Sequence, residues 1–474
     1  MSQEDNRTSG DGKGRYFVRA SVTGKGRASA EMASTAAGDK VRELQRTLYR
    51  AAKVDPTRRF HALWDKVHRR DVLERAWEDV RKNRGAAGVD GVTLRAAEAS
   101  GVGKLLDELA TELRDGTYRP QPGRRVWIPK AGTTERRPLA IPTVRDRIVQ
   151  GALKIVIEPV FEADFLPCSF GFRPKRSTHD ALQVLVDEAA RGRRWVVETD
   201  ITSCFEEIPW GGLERTLERR ICDQPTLKLL RALMRAGVME SGSIEHRRAG
   251  TPQGGVISPL LANIYLHQVD VAWTSQGVGV LVRYADDLLV MCRTRTEAER
   301  ALTQLRELLA SVGLRLKGSK TRIVYLREGG EGFDFLGFYH RWVRSRRNRQ
   351  MQYLARWPSH KAMNHARARL RELTGTDRLA VPTSDVVRSV NRFLRGWVGY
   401  FRHGHSWKAL ASIRWYAMDR LARLYAKRHG RRAMWGRKMV FYLAAEEFPV
   451  MPLRGVVVPP WPTRPRRAGA ECRR

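Results

Sequence analysis

Residues Arg283–Val290 read RYADDLLV, with VGVLV (Val278–Val282) before them and LLVMC (Leu288–Cys292) running on after. Two adjacent aspartates therefore sit at the tip of what reads as an apolar hairpin. A polar turn is the plain reading, since Asp is a common turn residue. A second reading comes from RWVVETDI (Arg194–Ile201), a strand pattern with one carboxylate, Asp200, near its C-terminal end. If the two segments are neighbouring strands, three carboxylates meet at one spot. Clustered carboxylates repel unless a cation lies among them, and hard oxygen donors select Mg²⁺. A pair of Mg²⁺ ions about 3.5–4 Å apart supports in-line phosphoryl displacement.

The charge balance points the same way. The 474 residues carry 87 Lys and Arg against 51 acids, a net of +36. Such an excess repels itself unless a polyanion neutralises it, which makes nucleic acid the expected partner. More than half of it lies in residues 341–440, where 25 basic residues face 4 acidic ones, and six of the 13 tryptophans lie there too. Two helices are expected in that region, at Ser384–Phe401 and Lys408–His429, with Arg414, Arg420, Arg423 and Lys427 on the outer face of the second. No long apolar segment or signal peptide is visible, so no membrane association and a cytoplasmic location are expected. The five cysteines are scattered without a CxxC pair, which excludes zinc ribbons and fingers. His403 and His405 form an HxH without an acidic or Cys partner nearby, a poor metal site.

Between these landmarks, residues 1–39 lack apolar periodicity and read as flexible. RRVWIPK (Arg124–Lys130) and RRPLAIP (Arg136–Pro142) read as a β-hairpin, followed by a helix over about Val144–Val160. After AGTPQGG (Ala249–Gly255), Ser258 reads as an N-cap and Pro259 as the first helical residue. GFDFLGF (Gly332–Phe338) reads as another short hairpin. The tail from residue 441 is basic and Pro-rich, with no assigned fold.

The joint pattern resembles the group II intron-encoded reverse transcriptases/maturases, of a bacterial type lacking the C-terminal endonuclease domain. YADD matches the catalytic hairpin of that family and TDITSCF its palm strand. AGTPQGGVISPLLANIYL, RPLAIPTVRDRIVQ, SFGFRPKRSTHDAL, GFDFLGF and the thumb signature VNRFLRGWVGYFR match further segments in the family's order.

The resemblance implies an α/β right-hand polymerase, with fingers and an antiparallel palm over residues 40–345 and a basic helical thumb over 346–440. The tail, 441–474, would be a remnant DNA-binding region. It implies Asp200, Asp286 and Asp287 as catalytic residues and, with Ile201, as the holders of two Mg²⁺ ions. Lys130 and Arg137 would grip the triphosphate of a dNTP. Phe205 would exclude a 2′-OH, Gln253 and Gly254 would contact the nucleotide, and Lys320 would lie near primer and nucleotide. Arg173, Arg176, Arg395, Arg402, Arg414, Arg420, Arg423 and Lys427 would bind nucleic acid. The implied partners are group II intron RNA, an RNA template with DNA primer, and target DNA. The implied activity is RNA-directed DNA synthesis with assistance to splicing. Without a cysteine-paired nuclease segment, nicking of a second DNA strand is not expected. Cys204, Glu206 and Ala140 depart from the family pattern around the nucleotide pocket. Defence or repair roles, or RNA binding without catalysis, are the alternative functions.

Overall fold

In a computed structural model, residues 24–129, 136–245, 248–346, 348–443, 448–452 and 457–458 are described. Among them the strands are β1 (Gly123–Pro129), β2 (Arg136–Ile141), β3 (Trp195–Asp200), β4 (Val238–Glu240), β5 (Ser243–Glu245), β6 (Val280–Tyr284), β7 (Asp287–Cys292), β8 (Arg322–Tyr325), β9 (Phe333–Phe335), β10 (Phe338–Arg344) and β11 (Gln352–Pro358). They form three sheets, ordered β2-β1-β4-β5, β6-β7-β3-β8 and β11-β10-β9.

The second sheet is antiparallel throughout, and it places the carboxylates. Asp200 pairs with Asp287 across β3 and β7, and Tyr284 pairs with Asp287 across the β6–β7 turn. The two segments are thus neighbours, as the apolar runs require. Burial on both faces explains why LLVMC is unbroken rather than alternating. Successive residues of β7 feed different cores. Leu288, Val290 and Cys292 pack with the central helix Val144–Glu162 and the helix Ser258–Gln276. Leu289 and Met291, with Val196, Val282 and Val324, pack instead with β9–β11 and the helices Thr383–Phe401 and Trp407–Arg428.

The expected hairpins form. β1 and β2 are antiparallel, and β9 turns into β10 through Leu336 and Gly337, both at positive φ, as a two-residue turn matched to strand twist requires. Two expectations are corrected. The segment read as flexible up to residue 39 is helical from Gly24, within a helix that runs to Val54. Its Gly-, Ala- and Ser-rich start lacks the apolar period that reveals a helix. Ser258 is not a cap: Ile257 precedes the helix, and the Ser258 hydroxyl donates to the Pro252 carbonyl at 2.8 Å. The β1–β2 hairpin forms as expected and extends into a larger sheet, because β1 also pairs in parallel with β4, more than a hundred residues away. No helix among the described residues is long and apolar enough to cross a membrane.

Candidate active site

The turn between β6 and β7 is held from below. Ala285 adopts φ +57°, an uncommon conformation for a residue with a Cβ. Its carbonyl accepts a hydrogen bond from Arg283 Nη1 at 3.2 Å. Arg283 is fully buried, and it also donates through Nε to Asp270 Oδ1 at 2.8 Å, through Nη2 to Asp270 Oδ2 at 2.5 Å, and through Nη1 to Asn263 Oδ1 at 2.9 Å. Asp270 and Asn263 belong to the helix Ser258–Gln276, whose N-terminal end adjoins the PQGG loop. One buried ion pair therefore sets the carboxylate turn relative to that loop.

The carboxylates crowd one another. Burial, then the charge of Asp200, pushes Asp286 above the usual carboxylate range. Burial, then Asp286 and Asp200, pushes Asp287 up to about 7. Asp200 contacts the Lys320 ammonium through Oδ2, while its Oδ1 is buried with no hydrogen-bond partner. Burial works against the charge on Lys320, but Asp200 and its neighbours prevail and raise its pKa. Main-chain bonds fix the same corner: Ile201 N donates to Asp286 O at 3.2 Å, and Lys317 N to Asp200 O at 2.8 Å.

Among the described residues, no three His, Cys, Asp or Glu side chains are grouped so as to hold a metal ion. Asp200, Ile201 and Asp286 line one cavity of about 440 Å³, whereas Asp287 lines a second, of about 320 Å³, with Lys320, Asp334 and Lys361. Asp200 borders both. Asp286 lies in the turn between β6 and β7, whereas Asp287 opens β7.

The first cavity gathers most of the expected nucleotide contacts. Arg137 enters it from β2, Phe205 from the turn after β3, and Gln253 and Gly254 from the PQGG loop. That loop is stitched to both flanks. Ala140 N donates to Gln253 O at 2.7 Å, Thr251 N to Phe205 O at 2.6 Å, and Val256 N to Gln150 Oε1 at 2.7 Å. Gly254 sits at φ +109°, and a Cβ there would lie 2.5 Å from the Ala140 carbonyl oxygen. Only glycine fits so close an approach. Lys130 lies outside the described residues. Arg136, Phe172 and Lys317 line the same cavity and were not singled out from the sequence. Arg136 stands next to Arg137 in RRPLAIP, and Lys317 stands three residues before Lys320 in KGSKT, so both could have been found beside residues already singled out, as could Phe172 inside SFGFRPKRSTHDAL.

The cationic residues divide. Arg395 and Lys427 are exposed, Arg423 is exposed but reaches Asp419 at 2.8 Å, and Arg176 lies half-buried over the Phe170 ring. Arg173 is a correction: its buried guanidinium binds Glu162 and the carbonyls of Leu166, Ser169 and Phe165, which leaves it as a loop anchor. Arg420 is half-buried and donates to Thr374, and Arg414 to the Met451 carbonyl, so neither stands clear on an outer face. Arg402 is half-buried, with Nε enclosed and unpartnered. His405 accepts at Nδ1 from Arg356 N, and His403 packs 4.4 Å from the His179 ring.

Residues 128–340 match the family model described as reverse transcriptase (RNA-dependent DNA polymerase), and residues 363–442 match the group II intron, maturase-specific domain. Protein YkfC of Escherichia coli is 35% identical over 367 residues, 69% of this chain and 94% of that protein. Group II intron-encoded protein LtrA of Lactococcus lactis subsp. cremoris is 38% identical over 211 residues, 44% of this chain but 35% of that protein. An uncharacterized 91 kDa protein in a cob intron of Schizosaccharomyces pombe is 40% identical over 166 residues, 35% of this chain and 20% of that protein. An antiparallel sheet that carries paired carboxylates beside a cavity of about 440 Å³, followed by a basic helical C-terminal region, accords with these matches: the chain belongs to the group II intron reverse transcriptase/maturase family.

Proposed function

We propose that this RNA-directed DNA polymerase extends a DNA primer on an RNA template using divalent metal, and that its basic thumb binds a group II intron RNA to assist splicing and to copy it during retrohoming. The observation that carries the polymerase mechanism is the shared cavity of Asp200, Asp286, Phe205 and the PQG loop. The buried, unpartnered Oδ1 of Asp200 and the raised pKa of Asp286 fit a hard cation, which would relieve both. Asp200, Asp286 and Ile201 would hold it, and Asp287 supplies negative charge from the adjoining cavity. When bound, two Mg²⁺ ions activate the attacking oxygen and stabilise the leaving oxygen of an in-line displacement.

The chain's own residues do the rest. Arg136 and Arg137 bring positive charge from the fingers to a triphosphate. The Phe205 ring occupies the space a 2′-OH needs, which selects dNTPs over ribonucleotides. Gly254 lets the main chain approach the nucleotide. Lys320 keeps Asp200 oriented and supplies charge where primer and nucleotide meet. Arg395, Arg423 and Lys427 on the thumb surface contribute phosphate contacts, whose strength falls with salt.

The test compares wild-type protein with Asp200→Asn and Asp286→Asn, measuring dNTP incorporation on an RNA template with a DNA primer and binding of a structured intron RNA. Loss of synthesis with RNA binding retained is the expected split. Synthesis surviving both substitutions would refute the assigned site, and loss of both activities would refute the division between palm and thumb.

A further inference from the structure

We infer that Phe172 packs against the nascent base pair and helps select it, as an aromatic platform that the fold presents under strain. The inference rests on the polymerase reading of the cavity. Phe172 is 54% exposed, unusual for a side chain of its size, and its ring lines the cavity that holds Phe205, Gln253 and Asp286. Its backbone lies at φ +57°, a conformation that an aromatic residue keeps only when its neighbours leave no choice.

Those neighbours are fixed on both sides. Upstream, Phe170 N donates to the Arg283 carbonyl at 2.9 Å, and the Gly171 carbonyl accepts from Asn263 Nδ2 at 2.7 Å. Gly171 lies so close to the catalytic turn that a Cβ would come within 2.5 Å of Ala285 N. Downstream, Arg173 is tied down by Glu162 and three main-chain carbonyls. The anchors fix the loop's ends but leave the ring between them without a core to fill. The Arg283–Asn263 network that holds the catalytic turn thus holds this loop as well, which ties the ring's position to that of the carboxylates. Inside a polymerase cavity, what an exposed aromatic face recognises is a nucleobase, since every base offers a π-face.

Phe172→Gly separates this role from a structural one. Glycine relieves the positive φ, so the thermal midpoint is expected to be no lower than wild type. KM for dNTP should nevertheless rise roughly 5- to 100-fold, the range seen when a base-stacking aromatic is removed. Mismatch extension should increase in parallel, and Phe172→Tyr should behave as wild type. A Phe172→Gly protein with wild-type KM and mismatch extension would overturn the inference, as would a Phe172→Tyr protein as defective as Phe172→Gly. Failure of the wild-type protein itself to incorporate dNTPs would instead overturn the polymerase reading.

Discussion

Replacing Arg283 with Met removes one member of an ion pair in which both side chains are completely buried. Asp270 would then be buried without its partner, and breaking such a pair costs about 3–5 kcal/mol. For a cooperative unit of 150–250 residues, each kcal/mol lowers the melting temperature by roughly 2–4 °C, so a drop of roughly 6–20 °C is expected. Thermal unfolding followed by circular dichroism measures it, with urea titration as a check. The decisive comparison is the double variant Arg283→Met with Asp270→Leu. If the cost is the stranded charge, removing Asp270 as well recovers about 2–3 kcal/mol, since a buried ion pair is often replaced by apolar groups at little loss. The Ala285 carbonyl stays unheld in that protein, so polymerase turnover should remain low although stability returns. A single variant that loses less than about 1 kcal/mol, or a double variant as unstable as the single, would refute the reasoning.

Three further outcomes follow. Gly254→Ala should raise KM for dNTP about tenfold, because the new Cβ cannot sit 2.5 Å from the Ala140 carbonyl; Gly396→Ala, at an open position in the helix Thr383–Phe401, should instead stabilise by roughly 0.5–1 kcal/mol in the same unfolding assay. His340 is fully buried, and burial and then the Arg356 charge push it down to about 3 from an ordinary 6.5. The unfolded chain therefore takes up a proton below about pH 6.5 that the folded chain refuses. Stability from this residue should be flat above pH 7 and fall as pH drops from 6.5 towards 3. The loss is about 2 kcal/mol at pH 5, and His340→Phe should flatten that slope in urea titrations at stepped pH.

Much of the site was legible because its signals are local. A strand ending in Asp200, a hairpin tip at Asp286 and Asp287, and a glycine-rich loop each follow from residue type and spacing. What stayed hidden was long-range or counter to type. Arg173 was expected to bind nucleic acid and Arg283 had no assigned role, yet both are buried, because their partners Asp270 and Glu162 lie on helices that only the tertiary fold brings near. The turn before β7 sets Asp286 beside one cavity and Asp287 beside the next, a division that residue spacing alone does not show. The left-handed conformation of Phe172 carries no signature at all, since it is imposed by its neighbours. The β1–β4 pairing joins segments too distant for any local pattern to reveal.

The two-faced catalytic sheet bears on how such proteins can evolve. The reverse transcriptase match ends at residue 340 and the maturase match begins at 363, yet Val196, Val282, Leu289, Met291 and Val324 from the first share one core with Val390, Leu394 and Ile413 from the second. The sequence modules are separable on paper while their interior is common property. A lineage that sheds the C-terminal half must first repaint the rear of its catalytic sheet with polar side chains, so inheritance of the two halves together is enforced by solvent as much as by function.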